Sequence, residues 1–594
     1  MEKPTDFSAL RVVAWVWRIN SKRPVLFFGG ILVHVVDDVL QGVLAPYVFA
    51  LVVNAAQDFA AEHRPVTFGL ILQVCLPLLV VSIGSWISNG DSDFTIGRTK
   101  TLGLLQIYID TLSAWLKQSQ AFYLGRKPGE LVSHTGRAVQ THDDLTELLV
   151  DDLSMLIVQL VGMEVILAPL ALWPAIAIGL WSLTFIPVLY WATKTKRRIT
   201  KRASDAQTTF IAHFVEVVTH ALRVKVAGEE DAECKTLQDL ANAYLIPRTE
   251  EMLFNLKTKG LVRGMIVGAQ MCSIVLSFIE VANGHIAIGT FVLIQLYLQK
   301  MTTGLWDFVP SLVKAQEAVA RAGALLTTLE HKPEVADLDH PQQLVQGPGK
   351  IEFRDVSFRY CEDGPWILHH FCLEIKPGEL VAIIGSNGVG KTTLFNLLLR
   401  LYDPQTGAIF VDGQDIKNLE QRKLRRAVAC VLQQQTLLPR SVAENILYGN
   451  KQVDPDRSLD NIIEDAVLSE RISSYDAQVG ERGDMFSGGE QQRLLAAGMF
   501  AHHKPWFVLM DELTGTLDPQ IKLRLWANIR RWQQKNRLSS LVITHDNFLL
   551  REVDRIILLG KNGVIQADGE YLELLARNSD FRAFWQTTIQ EKPL

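Results

Sequence analysis

The sequence predicts a multidomain chain: an all-α domain of six membrane-crossing helices with long cytoplasmic helical extensions, then an α/β phosphate-loop domain with a mostly parallel core sheet. Three observations predict it. Apolar windows long enough to cross a bilayer fill the first half of the chain. From Ile351 onward, short β-rich runs alternate with helical stretches. One glycine-rich run, Gly385 to Thr392, lies between an apolar strand and an apolar helix. Length agrees, because 594 residues exceed one ordinary domain. Hydrophobic residues at 48% beside charged residues at 21% are what a membrane part averaged with a soluble part would give.

In chain order, residues 1–23 are expected to hold a short interfacial helix. Leu10 to Asn20 sets Val12, Val13, Trp15, Val16 and Trp17 among Arg11 and Arg18, and no cleavable leader pattern precedes it. The transmembrane domain is expected over 24–329. Its apolar windows are Val25 to Val53, Phe68 to Ile87, Leu153 to Leu172, Ile176 to Ala192, Val262 to Val281 and Ile286 to Leu298, the last interrupted by Gln295. A crossing of a core about 30 Å thick needs about 20 helical residues. The two long connections, about 88–149 and 193–259, carry helical periodicity, as in Leu145, Leu148, Leu149 and Leu153. They read as helices continuing beyond the bilayer.

Orientation follows from Lys and Arg. Arg11, Arg18, Lys22 and Arg23 precede the first window, and Lys194, Lys196, Arg197, Arg198, Lys201 and Arg202 follow the fourth, whereas the outer loops hold Arg64 alone. Both termini are therefore expected in the cytoplasm, with the chain multi-pass in the inner (plasma) membrane. An amphipathic helix from Val313 to Leu329 leads to a polar linker, 330–350, punctuated by Pro333, Pro341, Gly347 and Pro348, and the α/β domain takes 351–594. The net charge of -5 gives no sign of nucleic acid as a partner, and the scattered cysteines 75, 234, 272, 361, 372 and 430 suggest neither a metal site nor a disulfide framework.

The Gly385 run fits G-x-x-x-x-G-K-(S or T). Backbone N–H groups of such a loop cradle phosphates, Lys391 reaches the outer phosphates, Thr392 binds Mg2+, and the following helix adds its N-terminal partial charge. Trp506 to Met510 is an apolar strand that delivers Asp511 and Glu512 to the ligand edge of a sheet, Asp511 for the Mg2+ shell and Glu512 to polarise the attacking water. Alone, such an acidic pair could be a helix cap. Phosphoryl transfer also needs polar groups at the γ-phosphate, and Gln433 and His545 each end a β-rich run on the same side.

With these residues in place, the C-terminal part resembles the nucleotide-binding domain of ATP-binding cassette (ABC) transporters. Tyr360 matches the aromatic that stacks on adenine. Gly385, Ser386, Asn387, Gly388, Val389, Gly390, Lys391, Thr392 and Thr393 match the Walker A loop, and Gln433 in Val431-Leu432-Gln433-Gln434 matches the Q-loop. Ser487-Gly488-Gly489-Glu490-Gln491-Gln492-Arg493 matches the signature, Asp511 and Glu512 match Walker B, and His545 matches the switch histidine. The resemblance implies ATP and Mg2+ as ligands, the metal held by Thr392, Gln433 and Asp511. It also implies that Ser487, Gly488, Gly489 and Glu490 open a helix facing the γ-phosphate bound by a second subunit. Val479 to Gly483, Phe122 to Ser133, and Glu216 with Arg223 to Glu230 resemble coupling segments of exporters. Three departures stand out: Glu490 replaces the signature glutamine, Phe486 replaces its preceding leucine, and Gly515-Thr516 replaces Ser-Ala before Leu517-Asp518.

The implied assembly is a dimer of half-transporters. A homodimer is favoured by the intact catalytic residues, and a heterodimer with a related chain is left open by Gly515-Thr516. Asp37, Asp38 and Glu164 lie at depth in the apolar windows, with His34 and Gln41 extending a polar stripe. They either line a cavity for a cationic or polar solute or bond neighbouring helices. The expected function is ATP-driven export of a drug, lipid, peptide or other amphipathic or cationic solute. Import of a siderophore or metal chelate on the same fold, a non-transport ATPase, and an ATP-gated channel or regulator are the rivals.

Overall fold

The structure is a computed structural model and describes residues 9–61, 67–126, 128–433, 435–450, 457–472, 474–515 and 517–590. Arg64, Lys127, Gln434 and Thr516, which fall in the motifs and loops read above, lie outside them. The chain divides into two compact units, 1–116 with 126–331, and 117–125 with 332–594.

The first unit is helical throughout its described residues. It runs α1 (Ala9–Ser21), α2 (Pro24–Asp38), α3 (Ala45–Ala61), α4 (Phe68–Trp115), then, after a segment that belongs to the other unit, α6 (Pro128–Glu147), α7 (Leu153–Leu170), α8 (Leu172–Thr219), α9 (Ala221–Ala227), α10 (Glu230–Ala282) and α11 (Ile288–Glu330). The intervening α5 is Gln120–Leu124. At 48, 48 and 53 residues, α4, α8 and α10 would be about 70 to 80 Å long at 1.5 Å per residue, more than twice a bilayer core. Among the described residues, four helical stretches, Pro24–Ala61, Ile71–Trp115, Pro128–Leu170 and Glu230–Ala282, are long and apolar enough to span a membrane, and Leu172–Phe185 is a shorter apolar stretch. The window expected from Ile286 falls in α11 and is less apolar, since Gln295, Gln299 and Lys300 interrupt it. The helix tolerates them because its apolar side is inside the bundle: Leu293, Ile294, Tyr297, Leu298 and Met301 are buried with Met163 and Leu167 of α7.

Two π-helical turns, Val39–Leu44 and Leu148–Asp152, were not anticipated from the sequence. A π turn shifts the i→i−4 ladder and misaligns carbonyls. One of these, Val43 O, accepts the buried Tyr297 hydroxyl at 2.8 Å. In α1, Val12 and Val16 are buried against Leu145, Ala315, Ala322 and Leu326, while Trp17 is exposed and packs edge-on to Phe27 and Phe28.

The second unit is built on two sheets. An antiparallel sheet has the order β2-β1-β4-β5, from β1 (Ile351–Phe358), β2 (Leu368–Ile375), β4 (Thr406–Val411) and β5 (Gln414–Asp415). The six-stranded sheet has the order β10-β9-β3-β8-β7-β6, from β3 (Leu380–Gly385), β6 (Val428–Val431), β7 (Phe507–Asp511), β8 (Ser539–Ile543), β9 (Arg555–Leu559) and β10 (Ile565–Gly569). All its neighbours pair in parallel except β10 with β9. Both faces are covered, which is why β3 reads as a continuous apolar run. Leu380, Ala382 and Ile384 enter one core, and Val381 and Ile383 the other. The linker is pinned to this unit. Buried Arg400 donates to Ala336 O and Asp337, Asp412 accepts from the N–H groups of Gly349 and Lys350, and the Trp506 indole donates to the same carboxylate at 2.6 Å. Ala121 of α5 packs on the core of this unit, and Ser119 Oγ lies 3.3 Å from Glu334.

Candidate nucleotide site and the family of the chain

Four parallel strands end at one edge of the six-stranded sheet, and each delivers a polar residue there: β3 leads into Gly385 to Thr392, β6 into Gln433, β7 into Asp511 and Glu512, and β8 into His545. Parallel strands buried on both faces can place polar groups only beyond their ends, and the C-terminal edge is where such sheets bind ligands.

The glycine loop is shaped by its backbone. Gly385 has φ +147, and a Cβ there would meet Leu559 O at 2.4 Å; Gly390, φ +105, would meet Ile367 at 2.9 Å. Helix α12 (Lys391–Leu398) starts directly after it, so its first N–H groups point into the loop. Lys391 is 8% exposed, and its Nζ donates to Gly385 O at 2.7 Å and Ser386 O at 3.0 Å. Burial lowers its pKa, while Glu512 and Asp511 nearby pull it up. A buried ammonium whose hydrogen bonds go only to neutral carbonyls has capacity left for an anion, so the site fits a phosphate.

Thr392 Oγ1 donates to Asp511 Oδ2 at 3.3 Å. Asp511 is 3% exposed, and burial, with Glu512 adding to it, raises its pKa to about 6 against the hydrogen bond from Thr392. A hydroxyl and a buried carboxylate side by side form a hard oxygen donor pair, which suits Mg2+. Glu512 is held from both sides: Gln433 Nε2 donates to its Oε2 at 2.7 Å, and His545 Nε2 lies 3.5 Å from its Oε1. Its backbone is left-handed at φ +51, a conformation costly for any residue but glycine. The structure thus brings Lys391, Thr392, Gln433, Asp511, Glu512 and His545 together. Tyr360 is half-exposed, its hydroxyl 3.0 Å from Thr393 Oγ1 and its ring edge-on to Phe358 and Tyr402.

The signature residues stand apart as the start of helix Gly488–Phe500. Ser487 and Glu490 form a reciprocal capping box, Glu490 N–H to Ser487 Oγ and Ser487 N–H to Glu490 Oε2. The N–H groups of Gly488 and Gly489 have no acceptor within the helix. Asp518 caps helix Pro519–Asn536.

In the first unit, Asp37 and Asp38 are 4% and 9% exposed. Asp37 accepts from Ser85 at 2.7 Å and Asn89 at 3.3 Å; Asp38 accepts from Ser154 at 3.4 Å and lies 3.6 Å from His34 Nε2. Glu164 is not in this network, lying ten residues along α7 from Ser154, about 15 Å, against Gly179 of α8.

Sequence reasoning missed two supports. Lys522 bonds Asp546, fixing the residue after His545, and Arg471 pairs with Glu490. Thr544-His545-Asp546 displayed the first acceptor and the signature run the second, but nothing local displayed Arg471.

Comparison with known proteins agrees with this geometry. The family model for ABC transporters matches residues 368–515, and that for the ABC transporter transmembrane region matches 27–305. The β-(1→2)glucan export ATP-binding/permease protein NdvA of Rhizobium etli is 31% identical over 414 residues, 68% of this chain and 69% of that protein. The chain is an ABC transporter. The ATM1-type heavy metal exporter of Novosphingobium aromaticivorans is 27% identical over 489 residues, 80% of this ABC transporter and 78% of the relative. A solved bacterial Atm1-family ABC exporter with ATP bound shares the fold, with a TM-score of 0.83 at 22% identity, covering 95% and 98% of the two chains. This transporter is therefore a multi-pass membrane protein that hydrolyses ATP, with Mg2+, to drive solute transport. The assembly is dimeric, built from like or related half-transporters.

Proposed function

We propose that the residues gathered at the sheet edge form one half of a composite ATP site. Lys391 and the N–H groups of 385–393 hold the β- and γ-phosphates, and Tyr360 offers its exposed ring face to adenine. Thr392, Asp511 and Gln433 are the donors for Mg2+, which when bound neutralises phosphate charge. Glu512 orients and polarises the attacking water, and His545 and Gln433 fix its two carboxylate oxygens. Ser487, Gly488, Gly489 and Glu490 complete the site of a second copy by turning a helix N-terminus towards its γ-phosphate. The observation that carries this reading is the convergence of Gln433 and His545 on Glu512, next to Asp511 and buried Lys391.

The assembly is a homodimer in the inner membrane, with both termini in the cytoplasm; the intact catalytic set and the Lys and Arg distribution support this. The solute is amphipathic or cationic. Asp37 and Asp38 serve the helix bundle instead of the solute: Ser85 and Asn89 occupy the two oxygens of Asp37, and Ser154 and His34 meet Asp38 at Oδ2. Glu164, outside that network, is left as the acidic residue for the solute path.

The test is Glu512→Gln in the purified, reconstituted dimer. Hydrolysis is expected to fall by about a hundredfold or more while ATP binding persists, as when a positioned base is lost. Turnover at the wild-type rate would remove Glu512 from the role given it.

A further inference from the structure

A carboxylate in the first turn of a helix suits the helix dipole, yet it opposes an anion approaching the same end. Glu490 is such a group. Burial raises its pKa, but the hydrogen bonds from Ser487 and the charge of Arg471 outweigh burial, so it stays below the usual carboxylate range and is ionised at neutral pH. A negative charge therefore stands within one turn of Gly488 and Gly489, the N–H groups assigned above to a phosphate.

Arg471 meets this charge directly. Its Nε donates to Glu490 Oε1 at 3.0 Å and its Nη2 to Met485 O at 3.0 Å, and its guanidinium lies 4.9 Å from the centre of the Phe486 ring. One side chain thus grips the backbone before Ser487, the ring beside it and the carboxylate after it. Gln491 holds the same turn from inside, donating to Phe486 O at 3.0 Å and Gly483 O at 2.8 Å. Both unusual signature residues, Phe486 and Glu490, contact Arg471. A planar guanidinium can stack on a ring while its edge donates to a carboxylate, which lysine cannot match.

We propose that Arg471 is a positioning residue for ATP closure: it neutralises Glu490 and aligns the Ser487 turn, so that the helix N-terminus attracts the partner's phosphate. This rests on the composite-site reading above. The decisive comparison is the penalty of Arg471→Ala in two backgrounds, measured as KM for ATP and kcat of the full-length protein in lipid. In the Glu490 background, KM is expected to rise about tenfold, within the ordinary coupling range of residues sharing a network. In the E490Q background the same substitution is expected to change KM less than about threefold, since the charge to be neutralised is gone. An equal penalty in both backgrounds overturns the proposal, because a merely structural clamp would be indifferent to that charge. If Arg471→Ala lowers the unfolding midpoint, Arg471→Gln, which keeps a donor for Met485 O, gives the same comparison. Gly489→Asp tests the underlying reading. It should abolish hydrolysis, and hydrolysis unchanged in that variant would discard the phosphate site itself, independently of Arg471.

Discussion

Lys391 shows what a single residue can be asked to do. Its ammonium is buried against two loop carbonyls and keeps the loop in its cradle shape before any phosphate arrives. Lys391→Ala removes both the cradle's tie and the phosphate's cation. ATPase activity is expected to fall by about a hundredfold or more, with transport lost alongside it, measured in proteoliposomes. Transport persisting in that variant would contradict the coupling of the two. Gln433, Asp511, Glu512 and His545 were legible in the sequence because each stands at the end of an apolar strand or within two positions of it, and Lys391 and Thr392 because they close the G-x-x-x-x-G-K-(S or T) run. Arg471 was not legible, because its partner Glu490 is nineteen residues away and the contact exists only once the chain between them has folded.

At the scale of elements, strand β3 was legible as five apolar residues before a glycine, and its central place between β8 and β9 follows from being buried on both faces. The turn after it is equally exacting. Gly385→Ala would force a Cβ to within 2.4 Å of Leu559 O, and a loss of about 1 to 3 kcal/mol is expected, read as a lower unfolding midpoint. The membrane helices were legible by their apolar length, but the π turns were not, since apolar periodicity does not register one extra residue in a turn. Tyr297→Phe tests the first of these turns, Val39–Leu44. It leaves Val43 O buried without its donor, and the unfolding midpoint in detergent should fall by the equivalent of about 1 to 3 kcal/mol. An unchanged midpoint would mean that the carbonyl finds another partner.

For the whole molecule, a nucleotide site that takes residues from two chains, as proposed above, would give hydrolysis a concentration dependence. Dilution in detergent below the dimer's dissociation constant is expected to lower the activity per chain, and activity independent of concentration over that range would favour a self-sufficient cassette. The division into a membrane unit and an ATPase unit was legible from composition. The return of residues 117–125 to the ATPase unit was not, because that assignment depends on packing between segments more than two hundred residues apart, such as Ser119 with Glu334.

Glu512 pays for its position in backbone strain. At φ +51 it occupies a conformation that glycine would adopt freely, immediately after a fully buried strand. Durability and turnover are therefore opposed at this one position. Glu512→Gly is expected to yield a cassette that melts higher, by the equivalent of up to about 1 kcal/mol, and that hydrolyses nothing. Selection for a hardier protein alone would discard the glutamate, so its presence marks a chain kept for the work it does.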